Sequence, residues 1–392
     1  MSITISNTAR PFTTDNWGYP PHNRASFQHV QQLFPTARLR RGSIPSVPMP
    51  SVLQDLSHIS YTDAQGASRD VAQMLDATFT DAFVVAKHGT IIAEDYRNNM
   101  TPASHHLLNS ISKSFLGMLV GILVAESSID PAQGLAHYIP EFSNTGFRDT
   151  TVQQALDMTG AIAFGEDYAD SNADFWQETA VIGWRPALVQ PDTPMTLFDY
   201  ACSLQKTEQQ DGENFHYRTV YTNVVAMAIE RATNQGVATL LEEKLWQPLK
   251  PEQDASVVVD SSGFPYFGAG MSACARDLAR FGQMLAQNGE LQGVQIVPAG
   301  WVSDTLHGNE NLKRLFAEGG YAEIAPGGHY RNQVWADSTH QQLFCIGIHG
   351  QLIFADQANG VVIVKLSSHP ESAEMSLFVD SFDAMRAMSR VL

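Results

Sequence analysis

Ser110-Ile111-Ser112-Lys113, followed by Phe115, Leu116, Met118, Leu119, Val120, Ile122, Leu123 and Val124, is the stretch on which the reading of this chain turns. The apolar run has the length of a buried helix, and the serine stands at its start. Residues three apart share a helix face, about one turn from each other, so the Ser110 hydroxyl and the Lys113 amine are expected to point the same way. A serine hydroxyl is a weak nucleophile until a neighbouring base takes its proton. A lysine can be that base where burial strips its charge. The helix start adds free N–H groups that favour developing negative charge. The same serine also reads as an ordinary N-cap. A second S-x-x-K, Ser203-Leu204-Gln205-Lys206, runs instead into the polar, turn-like Thr207–Gly212, where a lysine keeps its charge.

Composition bounds the rest. A chain of 392 residues holds one large domain or two interleaved ones, and 44% hydrophobic against 17% charged residues suits a sizeable core. The formal net charge is -17, from 24 Lys+Arg and 41 Asp+Glu. That excludes nucleic acid as a partner, since phosphate needs a basic footprint. The acidity serves solubility, or attracts cationic ends of substrates. Cys202, Cys274 and Cys345 are too few and too scattered for a disulfide framework or a zinc site. Met1–Arg10 shows no basic region followed by an apolar one, and no apolar run reaches membrane-spanning length. The expectation is a soluble cytoplasmic protein with no membrane partner, with a homodimer left open. Thirteen histidines include no H-E-x-x-H, and the adjacent His105 and His106 would face different ways on a helix. Neither metal nor cofactor is expected.

Along the chain, residues 1–50 are rich in Pro, Arg and Ser and read as an extended amino-terminal arm. Ala82–Lys87 and Thr90–Tyr96 read as strands around a tight turn at His88-Gly89. From 127 to 289 the signals are mainly helices and loops, among them Val152–Met158, Thr196–Leu204, Val224–Thr233, Val237–Leu245 and Ala275–Leu285. Strands return at Gln342–Ile348, Leu352–Ala355 and the β-branched Val361–Leu366, which has the character of a central strand. A last amphipathic helix covers about Ser372–Arg390. Strands joined by short turns imply an antiparallel sheet, and flanking helices would cover its faces. The fold class is therefore α/β: a sheet domain from 51–126 and 290–392, with 127–289 as a mostly helical lobe. A cleft between the two is where a site is expected.

A serine–lysine pair needs a third group to pass the proton to the leaving group. Phe215-His216-Tyr217-Arg218-Thr219-Val220-Tyr221-Thr222-Asn223 offers two tyrosines, just before the apolar run Val224–Thr233. With the S-x-x-K, this arrangement resembles the serine hydrolases of the class C β-lactamase, D-alanyl-D-alanine carboxypeptidase and family VIII esterase group. Members of that group carry Tyr-Ser-Asn at a set distance before an apolar helix ending in Ile-Glu. Counting back from Ile229-Glu230 selects Tyr217, while the literal Tyr-x-Asn is Tyr221-Thr222-Asn223. The stretches Asp149–Gly160 and Gly268–Gly282 are similar to further motifs of the group. Pro20–Val30 and Phe34–Ala37, with Asn109–Ser114 and Ile346–Gln351, resemble the 6-aminohexanoate-dimer hydrolase, or nylon-oligomer hydrolase, branch.

The resemblance implies a β-lactamase/penicillin-binding-protein-like fold. It also implies an acyl-enzyme route, with Ser110 as nucleophile, Lys113 and Tyr217 sharing the proton, and the Ser110 and Ile348 N–H groups as oxyanion hole. Asp167, Tyr168, Trp184, Gly268 and His349 are the substrate-binding candidates. Asp167 also reads as part of a solvated loop with Asp170 and Asp174, and Trp184, like Trp335, as core. Three departures bear on substrate. The strand Cys345–Gly350 lacks the lysine that penicillin-recognising enzymes use for a carboxylate. Thr219 stands where the group has asparagine. Thr179 stands where an aspartate is expected for an amine end. The expected substrates are small linear amides or short-chain esters. A D-alanyl-D-alanine carboxypeptidase or β-lactamase is the alternative enzyme, and an inactive binding or scaffold relative the alternative outside catalysis.

Overall fold

A computed structural model of the protein describes residues 12–43, 46–322 and 324–392. Met1–Arg10, read above for a leader, lies outside the described residues. The main sheet has seven antiparallel strands: β1 (Thr80–Lys87), β2 (Thr90–Tyr96), β3 (His329–Arg331), β4 (Val334–Asp337), β5 (Gln342–Gly347), β6 (Gln351–Asp356) and β7 (Val361–Ser367), in the order β3-β4-β5-β6-β7-β1-β2. The β1–β2 turn places His88 and Gly89 at φ 47° and 79°, the left-handed backbone that a two-residue hairpin requires. β7 is buried along its whole length between β6 and β1, so its β-branched run lies inside the sheet.

Alternation along the strands gives the sheet two apolar faces. On one lie helices α1 (Ile111–Ala125) and α3 (Ala275–Ala286), whose Phe115 and Phe281 rings stack at 3.9 Å. Gly282 lets α3 approach: a Cβ there would lie 2.5 Å from Val362 Cγ1. On the other face Phe382 of α4 (Met375–Val391) meets the edge of Phe344 in β5 at 5.4 Å. α3 falls in the 127–289 segment yet packs on the sheet, against β7, β6 and β1.

The lobe carries α2 (Val220–Thr233), which stops where Asn234 turns left-handed at φ 54°. Segment 12–43 folds back as more than an extended arm. Its Trp17, Phe27 and Phe34 are buried, and Thr36–Leu39 pairs with Ala255–Val258 in a second sheet that continues through Met271–Ala273 to His106–Leu107. That last strand leads straight into Ser110. β3, β4 and the strands of this second sheet are too short or too mixed in pattern to stand out in the sequence.

Candidate active site

Ser110 stands at the N-terminus of α1, yet its side chain makes no capping hydrogen bond. The hydroxyl instead accepts from Lys113 Nζ at 2.7 Å. The same ammonium donates to the Gly268 carbonyl, also at 2.7 Å. Lys113 is fully buried, and that burial brings its ammonium down to about 8, while the charges of Glu166 and Glu178 work the other way. The amine thus has a partner to hold it in place and a reason to give up its charge.

Tyr217 is buried beside the pair. Lys113 Nζ lies 4.9 Å from the centre of its ring, which stacks on Trp335 with centroids 5.5 Å apart. Ser110 and Tyr330 lie near its hydroxyl. Burial first, then the Glu166 charge, pushes the phenol well above its usual range, so it keeps its proton where the lysine loses one. Tyr221, the literal Tyr-x-Asn tyrosine, faces elsewhere. Its hydroxyl accepts the Ile162 N–H at 3.0 Å, and its ring fills the space left by Gly160. The second S-x-x-K is also apart from any cleft chemistry: Ser203 Oγ donates to the Tyr200 carbonyl and Lys206 pairs with Asp211, both at 2.7 Å.

Behind Lys113 runs a buried polar chain. Gly268 N–H donates to Asn223 Oδ1 at 3.0 Å, and Asn223 Nδ2 donates to Glu178 at 2.9 Å. Tyr266 closes the chain with its hydroxyl 3.3 Å from the other Glu178 oxygen. Burial pushes the Glu178 carboxyl up to about 8. The sequence reading gave Glu178 no role and named Asn223 only within the literal Tyr-x-Asn match. The available signal is one acid close after Phe175 and Trp176, where a buried charge has to be paired or neutralised. Gly268 serves this chain through its backbone. A Cβ there would lie 2.5 Å from Thr219 Cγ2.

Ile348 follows β5 and lines the cleft with Ser110. Asn109 holds the two together: its backbone is left-handed at φ 47°, and its Nδ2 donates to the Ile348 carbonyl at 2.9 Å. Among the described residues neither the Ser110 nor the Ile348 N–H has a backbone acceptor. The cleft itself, about 110 Å³, is walled by Tyr168, Tyr217, Trp335, Ile348 and the half-buried Glu166. Glu166 accepts from Tyr168 at 2.6 Å and from the Thr219 hydroxyl and N–H. Burial raises its carboxyl, against the pull of Lys113 and these donors. Thr219, in the asparagine position, is therefore committed to Glu166.

The other candidates lie around the cleft. Asp167 is at its outer mouth, one oxygen taking the Ala169 N–H at 2.9 Å. Trp184 is buried against Trp17 and Tyr266. His349 is turned behind the β5–β6 turn, with Nδ1 2.7 Å from the His369 carbonyl, and burial lowers it to about 4, so it is neutral. Thr179 is buried, its hydroxyl donating to the Trp176 carbonyl at 2.8 Å.

Residues 68–379 match the family described as Beta-lactamase. A curated relative, the 6-aminohexanoate-dimer hydrolase of Paenarthrobacter ureafaciens, is 35% identical over 361 residues, 92% of this chain and 88% of that protein. Among solved structures, a Bacillus anthracis protein assigned as a 6-aminohexanoate-dimer hydrolase superposes with a TM-score of 0.89 at 26% identity, over 98% of each chain. A Bacteroides dorei protein assigned as a β-lactamase shares the fold, with a TM-score of 0.63 at 17% identity over 82% of this chain and 96% of that one. The chain belongs to the β-lactamase family, in the branch that holds the 6-aminohexanoate-dimer hydrolases, and is a serine hydrolase.

Proposed function

We propose that the protein hydrolyses small linear amides or short-chain esters through an acyl-enzyme. The observation that carries this is the 2.7 Å contact between Lys113 Nζ and Ser110 Oγ, made inside an apolar cleft. Neutral Lys113 takes the Ser110 proton as Oγ bonds to the substrate carbonyl carbon. The Ser110 and Ile348 N–H groups hold the resulting oxyanion, each such donor contributing about 3–4 kcal/mol in the transition state. Tyr217 gives its proton to the leaving amine or alkoxide and regains one from Lys113. The C–N or C–O bond breaks, and water then repeats the sequence to release the acid and restore Ser110.

The name of the Paenarthrobacter relative favours a linear amide of an ω-amino acid. Against a β-lactam, the strand Cys345–Gly350 offers no cation for its carboxylate. Three free cysteines fit a cytoplasmic setting, and no described helix is long and apolar enough to cross a membrane. The test is a panel of p-nitrophenyl acetate and butyrate, a 6-aminohexanoate linear dimer and nitrocefin. Turnover of the esters or the dimer, lost in Ser110→Ala, is expected. Turnover of nitrocefin alone would favour the lactamase alternative, and no covalent labelling by a fluorophosphonate would favour the inactive one.

A further inference from the structure

Glu178, on the helix Asp174–Val181, is fully buried, and a buried carboxyl is costly unless partners offset it. Of the buried carboxyls among the described residues, all but Glu178, Asp260 and Asp356 face an arginine or a histidine. Asp260 and Asp356 take backbone N–H groups instead. Glu178 has neither. Its hydrogen-bond partners among the described residues are Asn223 Nδ2, at 2.9 Å, and the Tyr266 hydroxyl, at 3.3 Å. It neither pairs a charge nor caps a turn, so its use lies with Asn223.

An amide side chain has an accepting end and a donating end. The Gly268 N–H requires the oxygen of Asn223, at 3.0 Å. The Asn223 NH₂ is thereby turned the other way and needs an acceptor, which Glu178 provides. Asn223 so oriented fixes Gly268, which has no side chain to hold it in place. The Gly268 carbonyl in turn takes an N–H of Lys113 at 2.7 Å. That last bond aims the base. A neutral amine has two N–H groups and one lone pair. With one N–H held by Gly268, the lone pair can be turned on the Ser110 hydroxyl, 2.7 Å away. Glu178, Asn223 and Lys113 are all buried, so each link depends on the protein group opposite it.

We infer that Glu178 is a positioning residue for the hydrolytic step, acting through Asn223 and Gly268 to hold the Lys113 amine against Ser110 Oγ. This rests on the reading of Ser110 and Lys113 as nucleophile and base. It adds a residue that lies outside the cleft and acts only through others. Burial brings its carboxyl up to about 8, so near neutral pH the uncharged form predominates, with an oxygen for Asn223 and a hydroxyl toward Tyr266. The amide of glutamine offers the same pattern, an oxygen and a donor.

Two substitutions separate place from charge. Glu178→Gln keeps the acceptor oxygen and gives up the charge. Glu178→Asp keeps the charge and stands one C–C bond short of Asn223. With kcat referred to the folded fraction, read by near-ultraviolet circular dichroism, Glu178→Asp should lose about 10²-fold with KM little changed, as a misplaced base does. Glu178→Gln should lose at least about 10-fold less. The reverse order, or a fall in melting temperature with kcat unchanged in both, overturns the inference. Asn223→Leu breaks the same chain one link further on. Glu178→Asp added to it should cost nothing more, and losses that multiply would overturn the inference. If Asn223→Leu does not fold, the comparison of Gln with Asp decides alone. Crystal structures of the two Glu178 variants give a readout that needs no turnover. Lys113 Nζ should keep its bond to the Gly268 carbonyl in Glu178→Gln and leave it in Glu178→Asp. An amine unmoved in Glu178→Asp overturns the inference. An amine displaced there, in a protein that hydrolyses none of the substrates, leaves the hold on Lys113 standing and removes the hydrolytic reading instead.

Discussion

Lys113 sets the pH behaviour of the molecule. Its amine titrates near 8 in the folded protein, and only the neutral form can take the Ser110 proton. kcat/KM should therefore rise with pH through about 8 and fall as protons bind below it. Tyr217 is held well above its usual range, so it adds no falling limb in that window. A pH–rate profile flat from 6 to 9 would remove Lys113 as the base. Glu166→Gln makes the sign testable. A carboxylate near an ammonium raises its pKa, so the variant's rising limb should move to lower pH. Ser110→Ala should cost about 10⁴-fold or more in turnover while leaving the melting temperature nearly unchanged, because this side chain caps nothing in α1. Tyr217→Phe should slow acyl transfer by about 10²–10⁴. The loss should be larger for amides than for p-nitrophenyl esters, whose leaving group needs no proton. Tyr221→Phe should leave chemistry nearly intact and show up in thermal unfolding instead, since its hydroxyl serves the Ile162 N–H.

At the scale of elements, α1 and the end of β5 are set by glycines that allow backbone contact. Gly117 in mid-helix looks like a weakness, since alanine there is favoured by about 1 kcal/mol in an isolated helix. Here its Cβ would lie 2.0 Å from the Asn332 carbonyl oxygen, while Trp301 Nε1 donates to its own carbonyl at 3.1 Å. Gly117→Ala should thus destabilise the protein by roughly 1–3 kcal/mol, as overpacking does, measurable as a lowered melting temperature. Gly347 is the equivalent on β5: a Cβ would lie 2.3 Å from the Leu108 carbonyl oxygen. Gly347→Ala should push β5 from the helix start and carry the Ile348 N–H off the oxyanion position. The expected reading is a fall in kcat of about 10²–10³, the cost of one lost oxyanion donor, with the secondary structure intact by circular dichroism.

In the proposed mechanism α1 supplies the serine and lysine, segment 127–289 supplies Tyr217, Glu166 and Glu178, and the residue after β5 supplies the second N–H. The proposed mechanism runs on a side-chain base, and among the described residues no three His, Cys, Asp or Glu side chains stand in a metal-holding group. Turnover should survive prolonged dialysis against EDTA, and loss restored by zinc would overturn the mechanism.

Local chemistry made much of this legible in the chain. S-x-x-K ahead of an apolar run marks a helix start by periodicity alone, and β7 and the β1–β2 hairpin follow from β-branched runs and turn residues. The preference for Tyr217 over Tyr221 rests on the resemblance, whose members set the tyrosine at a fixed distance before the apolar helix; in the structure the centre of the Tyr217 ring lies 4.9 Å from Lys113 Nζ. Contacts between segments far apart in the chain were not legible, because no local pattern encodes them. The chain from Lys113 through Gly268 and Asn223 to Glu178 joins residues up to 155 positions apart. The packing of α3 on the sheet and the folding back of segment 12–43 are likewise decided by which apolar faces remain uncovered.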